Sequence, residues 1–159
     1  MATRAETTVA APGDRDIVFT RQFDAPPELV YRAWTEADRI AQWWGPEGFT
    51  TTNEVMDVRP GGEWRFVMHA PDGTPFDNIV TYHEVEPSEL LVYSQGEPGD
   101  EEQFRVTVTF QRDGAQTELT MRIRFPSAEA RDQKIKEVGA LEGGNQTLDR
   151  LAEHLSNLS

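Results

Sequence analysis

From residue 49 to residue 125 the chain reads as strand after strand with only turn-length breaks between them, and the one long helical pattern follows the last strand. That order decides most of the fold. Parallel neighbours need crossovers of a dozen or more residues, so strands this closely spaced must pair antiparallel. Phe104, Val106, Val108 and Phe110 alternate with Arg105, Thr107, Thr109 and Gln111. Beyond the turn at Asp113-Gly114, Leu119, Met121, Ile123 and Phe125 alternate with Glu118, Thr120, Arg122 and Arg124. Such a period of two marks strands with one face buried and one face wet. Residues 63–69 place Trp64, Phe66 and Met68 on one face, after a turn at Arg59-Pro60-Gly61-Gly62. Strands are also predicted over residues 50–58 and 90–93, with a longer loop at Gly96-Glu97-Pro98-Gly99-Asp100. Residues 76–85 read as a strand of undecided facing, because Val80 and Tyr82 compete with Ile79 and Val85.

Ahead of this run, Ile17, Phe19, Arg21 and Phe23 share one face of a first strand, residues 17–23. Asp24-Ala25-Pro26-Pro27 then combines an acidic cap with proline, a helix start. Short helices are expected over residues 27–34 and 37–44, the second stopped by Gly45-Pro46. After Pro126-Ser127, Ile135, Val138, Leu141, Leu148, Leu151, Leu155 and Leu158 form one apolar stripe on a long helix. The stripe has a gap containing Gly143-Gly144, a pair costing about 1 kcal/mol per glycine against alanine in a helix interior. Either the helix bends there or something approaches its backbone closely. The expected class is therefore α+β: a curved antiparallel sheet of seven strands wrapped around a long C-terminal helix, with two short helices after the first strand. Residues 16–159 form one domain behind a flexible polar leader, residues 1–15.

The charge balance narrows the partners. With 28 acidic residues against 15 Lys and Arg, the formal net charge is −13. A surface of that sign is repelled by phosphate backbones and anionic lipid, so neither nucleic acid nor membrane is an expected partner. No apolar run approaches the ~18 residues that span a bilayer, and the N-terminus has no secretory h-region, so the expected location is cytoplasmic. Cysteine is absent, which removes disulfides, thiol nucleophiles and Cys-ligated metal. His69, His83 and His154 lack the spacing of a metal site, and no phosphate loop or G-x-S-x-G elbow is present. No cofactor or metal is expected. Seven carboxylates and no base lie between Glu84 and Glu102. That run is a solvated rim or a docking surface for a basic partner.

Several motifs together resemble one family. Phe23-Asp24-Ala25-Pro26-Pro27-Glu28-Leu29-Val30-Tyr31-Arg32-Ala33-Trp34, Trp43-Trp44-Gly45-Pro46, Asp57-Val58-Arg59-Pro60-Gly61-Gly62 and Leu148-Asp149-Arg150-Leu151 resemble the bacterial homologues of the activator of heat-shock-protein ATPase. The resemblance runs from about Asp16 to the C-terminus and implies the START-like, or SRPBCC, helix-grip fold. That superfamily includes lipid carriers, hormone binders, aromatic cyclases and co-chaperone domains, so the fold alone does not select among them. Many relatives carry Trp or another bulky residue where Gly144 stands. Its loss here either enlarges a pocket or leaves room for a sheet neighbour.

The aromatic inner faces are the candidate site. Trp44, Trp64, Phe66, Met68, Tyr82, Phe104, Val106 and Met121 are the expected lining of an apolar cavity between sheet and C-terminal helix, holding a small hydrophobic molecule. As ordinary core residues the same side chains need no ligand. Trp43 and Trp44 point about 100° apart on a helix, so one is expected beneath the first helix and the other in the gap between sheet and long helix. Tyr82, Asn78, Glu84 and Glu54 are the polar groups that could reach inside, where a carboxylate would work as an acid or base. Two other functions compete: a co-chaperone that regulates a heat-shock ATPase through its acidic surface, and a cyclase or hydratase.

Overall fold

The structure, a computed structural model, describes residues 7–157. Its strands are β1 (Thr8–Ala10), β2 (Asp16–Phe23), β3 (Thr50–Met56), β4 (Glu63–His69), β5 (Pro75–Glu86), β6 (Leu90–Glu97), β7 (Asp100–Asp113) and β8 (Gln116–Arg124). The helices are α1 (Pro27–Thr35), α2 (Ala37–Ile40), α3 (Ala128–Val138) and α4 (Ala140–Ser156). All strands join one antiparallel sheet in the order β1-β2-β8-β7-β6-β5-β4-β3. The sheet thus has eight strands where seven were expected. The extra one is β1, drawn from the expected leader: Val9 lies opposite Phe19 and extends the sheet beyond β2. Residues 1–6 of that leader, Leu158 and the side chain of Val138 lie outside the described residues.

The expected alternation places one face of the sheet inward. Ile17, Phe19, Phe23, Leu91, Tyr93, Val106, Val108 and Leu119 are all buried there, beneath Val30, Ala33 and Trp34 of α1 and Leu148, Leu151 and Leu155 of α4. The undecided strand has a physical explanation. In β5 the register shifts between Tyr82 and Glu84, so that Tyr82 faces Tyr93 while Val85 faces Leu91. Tyr93 and Leu91 are two residues apart and share a face, so the bulge turns Tyr82 and Val85 the same way despite a three-residue step. Ile79 takes the opposite face, over Gly96.

Three helix boundaries differ from expectation, and the first is the end of α2, at Ile40 instead of residue 44. The N-cap of α1 is Pro26, with no side-chain cap, so Asp24 does not serve as one. The C-terminal rod is broken at Gly139, five residues before Gly144. There the backbone enters the left-handed region (φ 60°, ψ 46°), ending α3 and beginning α4. No bend is needed at Gly143-Gly144, because the other alternative holds: the ring of Phe19 lies directly against Gly144, where a Cβ would collide with it.

Arg21 shares the inner face with these apolar residues, with its side chain only 2% exposed. Its guanidinium pairs with Asp149 of α4, takes up the Thr7 hydroxyl at 3.2 Å and lies 5.5 Å from the Phe23 ring centroid. The pair fastens the middle of α4 to β2. On the opposite face Asp16 is held between Arg122 and Arg124.

Candidate functional site

The two tryptophans after α2 divide as expected. Trp43 is fully buried, its indole N–H donating to the Ala33 carbonyl at 3.0 Å and its ring edge-on to Trp34 at 4.9 Å. It locks the α2 segment beneath α1. Trp44 points to the sheet, edge-on to Trp64 at 5.1 Å and to Phe66 at 6.1 Å. Those two rings stack on each other at 3.8 Å and 19°.

Beyond Trp44 the inner face is not covered. A cleft of about 640 Å³, open to solvent at one side, lies between β5–β8, the first half of α4 and the segment from Trp44 to Phe49. Its sheet wall carries Asn78, Tyr93, Gln95, Phe104, Val106 and Met121. Met68, Phe49 and Phe76 flank it, and Gly143, Gln146 and Thr147 of α4 close it from the helix side. Gly143 contributes directly: with no side chain, it leaves the space beside Pro46 free.

Five of the eight expected lining residues, Trp44, Met68, Phe104, Val106 and Met121, meet at this cleft. Trp64, Phe66 and Tyr82 do not line it. The first two are shielded by Trp44, and the Trp64 indole N–H is spent on Asn53 Oδ1 at 2.8 Å, whose amide in turn donates to the Ala37 carbonyl. Tyr82 is buried edge-on to Tyr93, 6.1 Å between centroids. Burial pushes both phenols well above their ordinary range, so they stay neutral at any physiological pH. Asn78 does reach the cleft, with Gln95 donating to it at 3.4 Å. Glu84 takes the other face of the sheet, opposite Val92. Glu54 borders a separate hollow of about 510 Å³ between α2 and β3.

Arg150, on the edge of the α4 stripe, went unassigned in the sequence and organises the cleft mouth. One guanidinium nitrogen donates to the carbonyls of Trp44, Gly45 and Pro46 at 3.3, 3.0 and 3.1 Å. The other reaches the Gln42 carbonyl at 3.4 Å. Burial lowers its pKa from the usual arginine value, yet it stays charged, as guanidinium does in proteins. Gln146 adds a fifth tie by accepting from the Glu47 amide at 3.1 Å. The signals for Arg150 in sequence were a cation beside an apolar helical stripe and its place in the Leu148-Asp149-Arg150-Leu151 motif.

The acidic run also takes a definite shape. All seven carboxylates from Glu84 to Glu102 are exposed. Six of them divide between the two ends of β6, Glu86 and Glu89 at one and Glu97, Asp100, Glu101 and Glu102 at the other, while Glu84 lies opposite Val92 within the strand. An eight-residue strand at about 3.4 Å per residue holds those groups roughly 24 Å apart. Among the described residues, no cluster of three His, Cys, Asp or Glu has the arrangement of a metal site. Nor is any described helix long and apolar enough to cross a membrane.

An open antiparallel sheet packed on a C-terminal helix, with an apolar cleft left between them, defines a START-like protein of the helix-grip type. The family model described as Activator of Hsp90 ATPase homolog 1-like protein matches residues 24–156, and the chain belongs to that family. Solved structures agree. A protein from Arthrobacter aurescens superimposes with a TM-score of 0.87 at 25% identity, covering 94% of this chain and 91% of that one. One from Rhodobacter sphaeroides gives 0.84 at 25% identity, covering 97% and 100%. The AHSA1 protein from Silicibacter pomeroyi shares the fold with a TM-score of 0.74 at 22% identity, covering 91% and 99%. No curated protein matches the sequence.

Proposed function

We propose that the protein binds a small hydrophobic or aromatic molecule in the cleft between its sheet and α4. The observation that carries this reading is the cleft itself. At about 640 Å³ it falls within the ~300–1,000 Å³ of small-molecule sites, and it combines aromatic and methionine walls with a few neutral amides. An apolar wall of this kind, left without a ligand, would be filled in most cores by a side chain. Here Gly143 withholds one. Met68 and Met121 allow the wall to adjust to more than one ligand shape. Native mass spectrometry of protein purified without organic solvent or detergent tests the reading. The expected result is a fraction of the chain carrying a noncovalent adduct, or saturable one-to-one uptake of a neutral probe such as N-phenyl-1-naphthylamine. The absence of both adduct and uptake would refute it.

The family supports a second reading, regulation of a heat-shock ATPase. Its acidic residues would then work as two separate patches, since β6 holds them apart. An unchanged ATPase rate on adding the purified protein would remove it. A cyclase or hydratase finds less support: Tyr82, Glu84 and Glu54 are all placed away from the cleft.

A further inference from the structure

The chemical class of the ligand follows from which charges the cleft contains. Among the described residues on its wall there is no lysine, arginine or histidine, and the one ionisable acid is Glu142, exposed on the first turn of α4. Aromatic rings stand at every depth: Trp34, Trp44 and Tyr93 are buried at the floor, Phe49 and Phe104 half-buried, and Phe76 exposed at the lip.

These surroundings treat the two signs of charge differently. A carboxylate entering the cleft would lose water and find no cation to replace it, while facing Glu142 and the field of a chain carrying −13. Arg150, beside the segment from Trp44 to Pro46, has its donors taken by the carbonyls of Trp44, Gly45, Pro46 and Gln42, and its charge is offset by the carboxylates of Glu47 and Glu153. A positively charged nitrogen meets the opposite conditions. The negative faces of aromatic rings attract it, and Glu142 supplies the counter-charge at the mouth.

We propose that the cleft selects hydrophobic amines: it takes an apolar, preferably aromatic, molecule bearing a cationic nitrogen, and it discriminates against the corresponding carboxylic acid. This rests on the cleft being a binding site, as proposed above. Glu142 sets the selectivity, and the aromatic walls hold the body of the ligand.

Three molecules with one naphthyl body test it: 2-(1-naphthyl)ethylamine, 2-(1-naphthyl)ethanol and 1-naphthaleneacetate, titrated at pH 7 by calorimetry against the full chain. The amine is expected to bind about tenfold or more tighter than the acetate, with the alcohol between them. Glu142→Gln is exposed and leaves the core untouched. It should weaken the amine by about three- to tenfold and leave the alcohol unchanged, and 0.5 M salt should shrink that difference. Acetate binding as tightly as the amine would overturn the selectivity and leave the binding site standing. So would an equal loss of all three ligands in Glu142→Gln. Failure of all three to bind would overturn the site, and the selectivity with it.

Discussion

Gly143 and Gly144 are adjacent in α4, yet alanine should act on them in opposite directions. Both substitutions remove the same conformational penalty, about 1 kcal/mol in a helix interior. A Cβ at Gly143 would sit 3.5 Å from Pro46 Cγ, an ordinary contact. Gly143→Ala should therefore stabilise the fold by up to ~1 kcal/mol. A Cβ at Gly144 would strike the ring of Phe19, which is fully buried and cannot swing into solvent. Overpacking of that kind costs typically ~1–3 kcal/mol, so Gly144→Ala should come out neutral to destabilising by ~2 kcal/mol. The difference between the two variants, about 1–3 kcal/mol, cancels the helix propensity and isolates the Phe19 contact. At roughly 2–4 °C per kcal/mol for a chain of this size, it is a Tm difference of several degrees by calorimetry. Phe19→Leu supplies the control. Leucine has no atoms where the ring's Cζ and Cε stand, so Gly144→Ala should be tolerated in that background, giving a favourable coupling in the double-mutant cycle. If Gly144→Ala raised Tm as far as Gly143→Ala does, α4 would not lie against β2 as described.

Arg150→Met removes a donor shared by four carbonyls, and should cost ~2–3 kcal/mol in urea unfolding while weakening probe uptake; Arg150→Lys should rescue poorly, since an ammonium cannot span the same fork. At the Arg21–Asp149 pair, Asp149→Ala leaves a buried guanidinium without its counter-charge, so it should destabilise by ~3 kcal/mol, more than Arg21→Met does. Two buried groups contribute to the acid limb of stability. Hydrogen bonding to Arg124, against a smaller desolvation effect and aided by Arg122, holds Asp16 below its ordinary 3.8, so the unfolded chain binds this proton first. Its contribution is complete above that value and is lost as pH falls towards the lower folded value. Asp16→Asn should accordingly flatten Tm against pH below about 4. His154 is buried with no partner for Nε2 among the described residues, and desolvation, with Arg39 nearby, lowers its pKa below 6.5. Stability should fall as pH drops from about 6.5 through the folded value, and His154→Leu should remove that slope.

The strands were legible because each buries a single face, so alternation alone identifies β4, β7 and β8 and their inward residues. What escaped depends on contacts across the chain. β1 is three residues long, too short for a period, and exists only because β2 offers it a free edge. The break at Gly139 was hidden because apolar residues continue at helical spacing on both sides of it. Trp64, Phe66 and Met68 are equivalent in sequence, on one face of one strand. Only the position of Trp44 separates them, covering the first two and leaving the third beside the cleft. Likewise, Gly143-Gly144 announced a close approach without saying which glycine opens the cleft and which receives Phe19.

The central claim is that the space beside Gly143 is a ligand site, and filling it tests that claim most directly. Gly143→Trp places an indole in the cleft, and Gly143→Ala controls for the helix. With both variants shown to be folded by calorimetry, N-phenyl-1-naphthylamine should bind saturably to wild type and to Gly143→Ala and fail to bind Gly143→Trp. Equal uptake by all three chains would place the apolar site elsewhere and contradict the account.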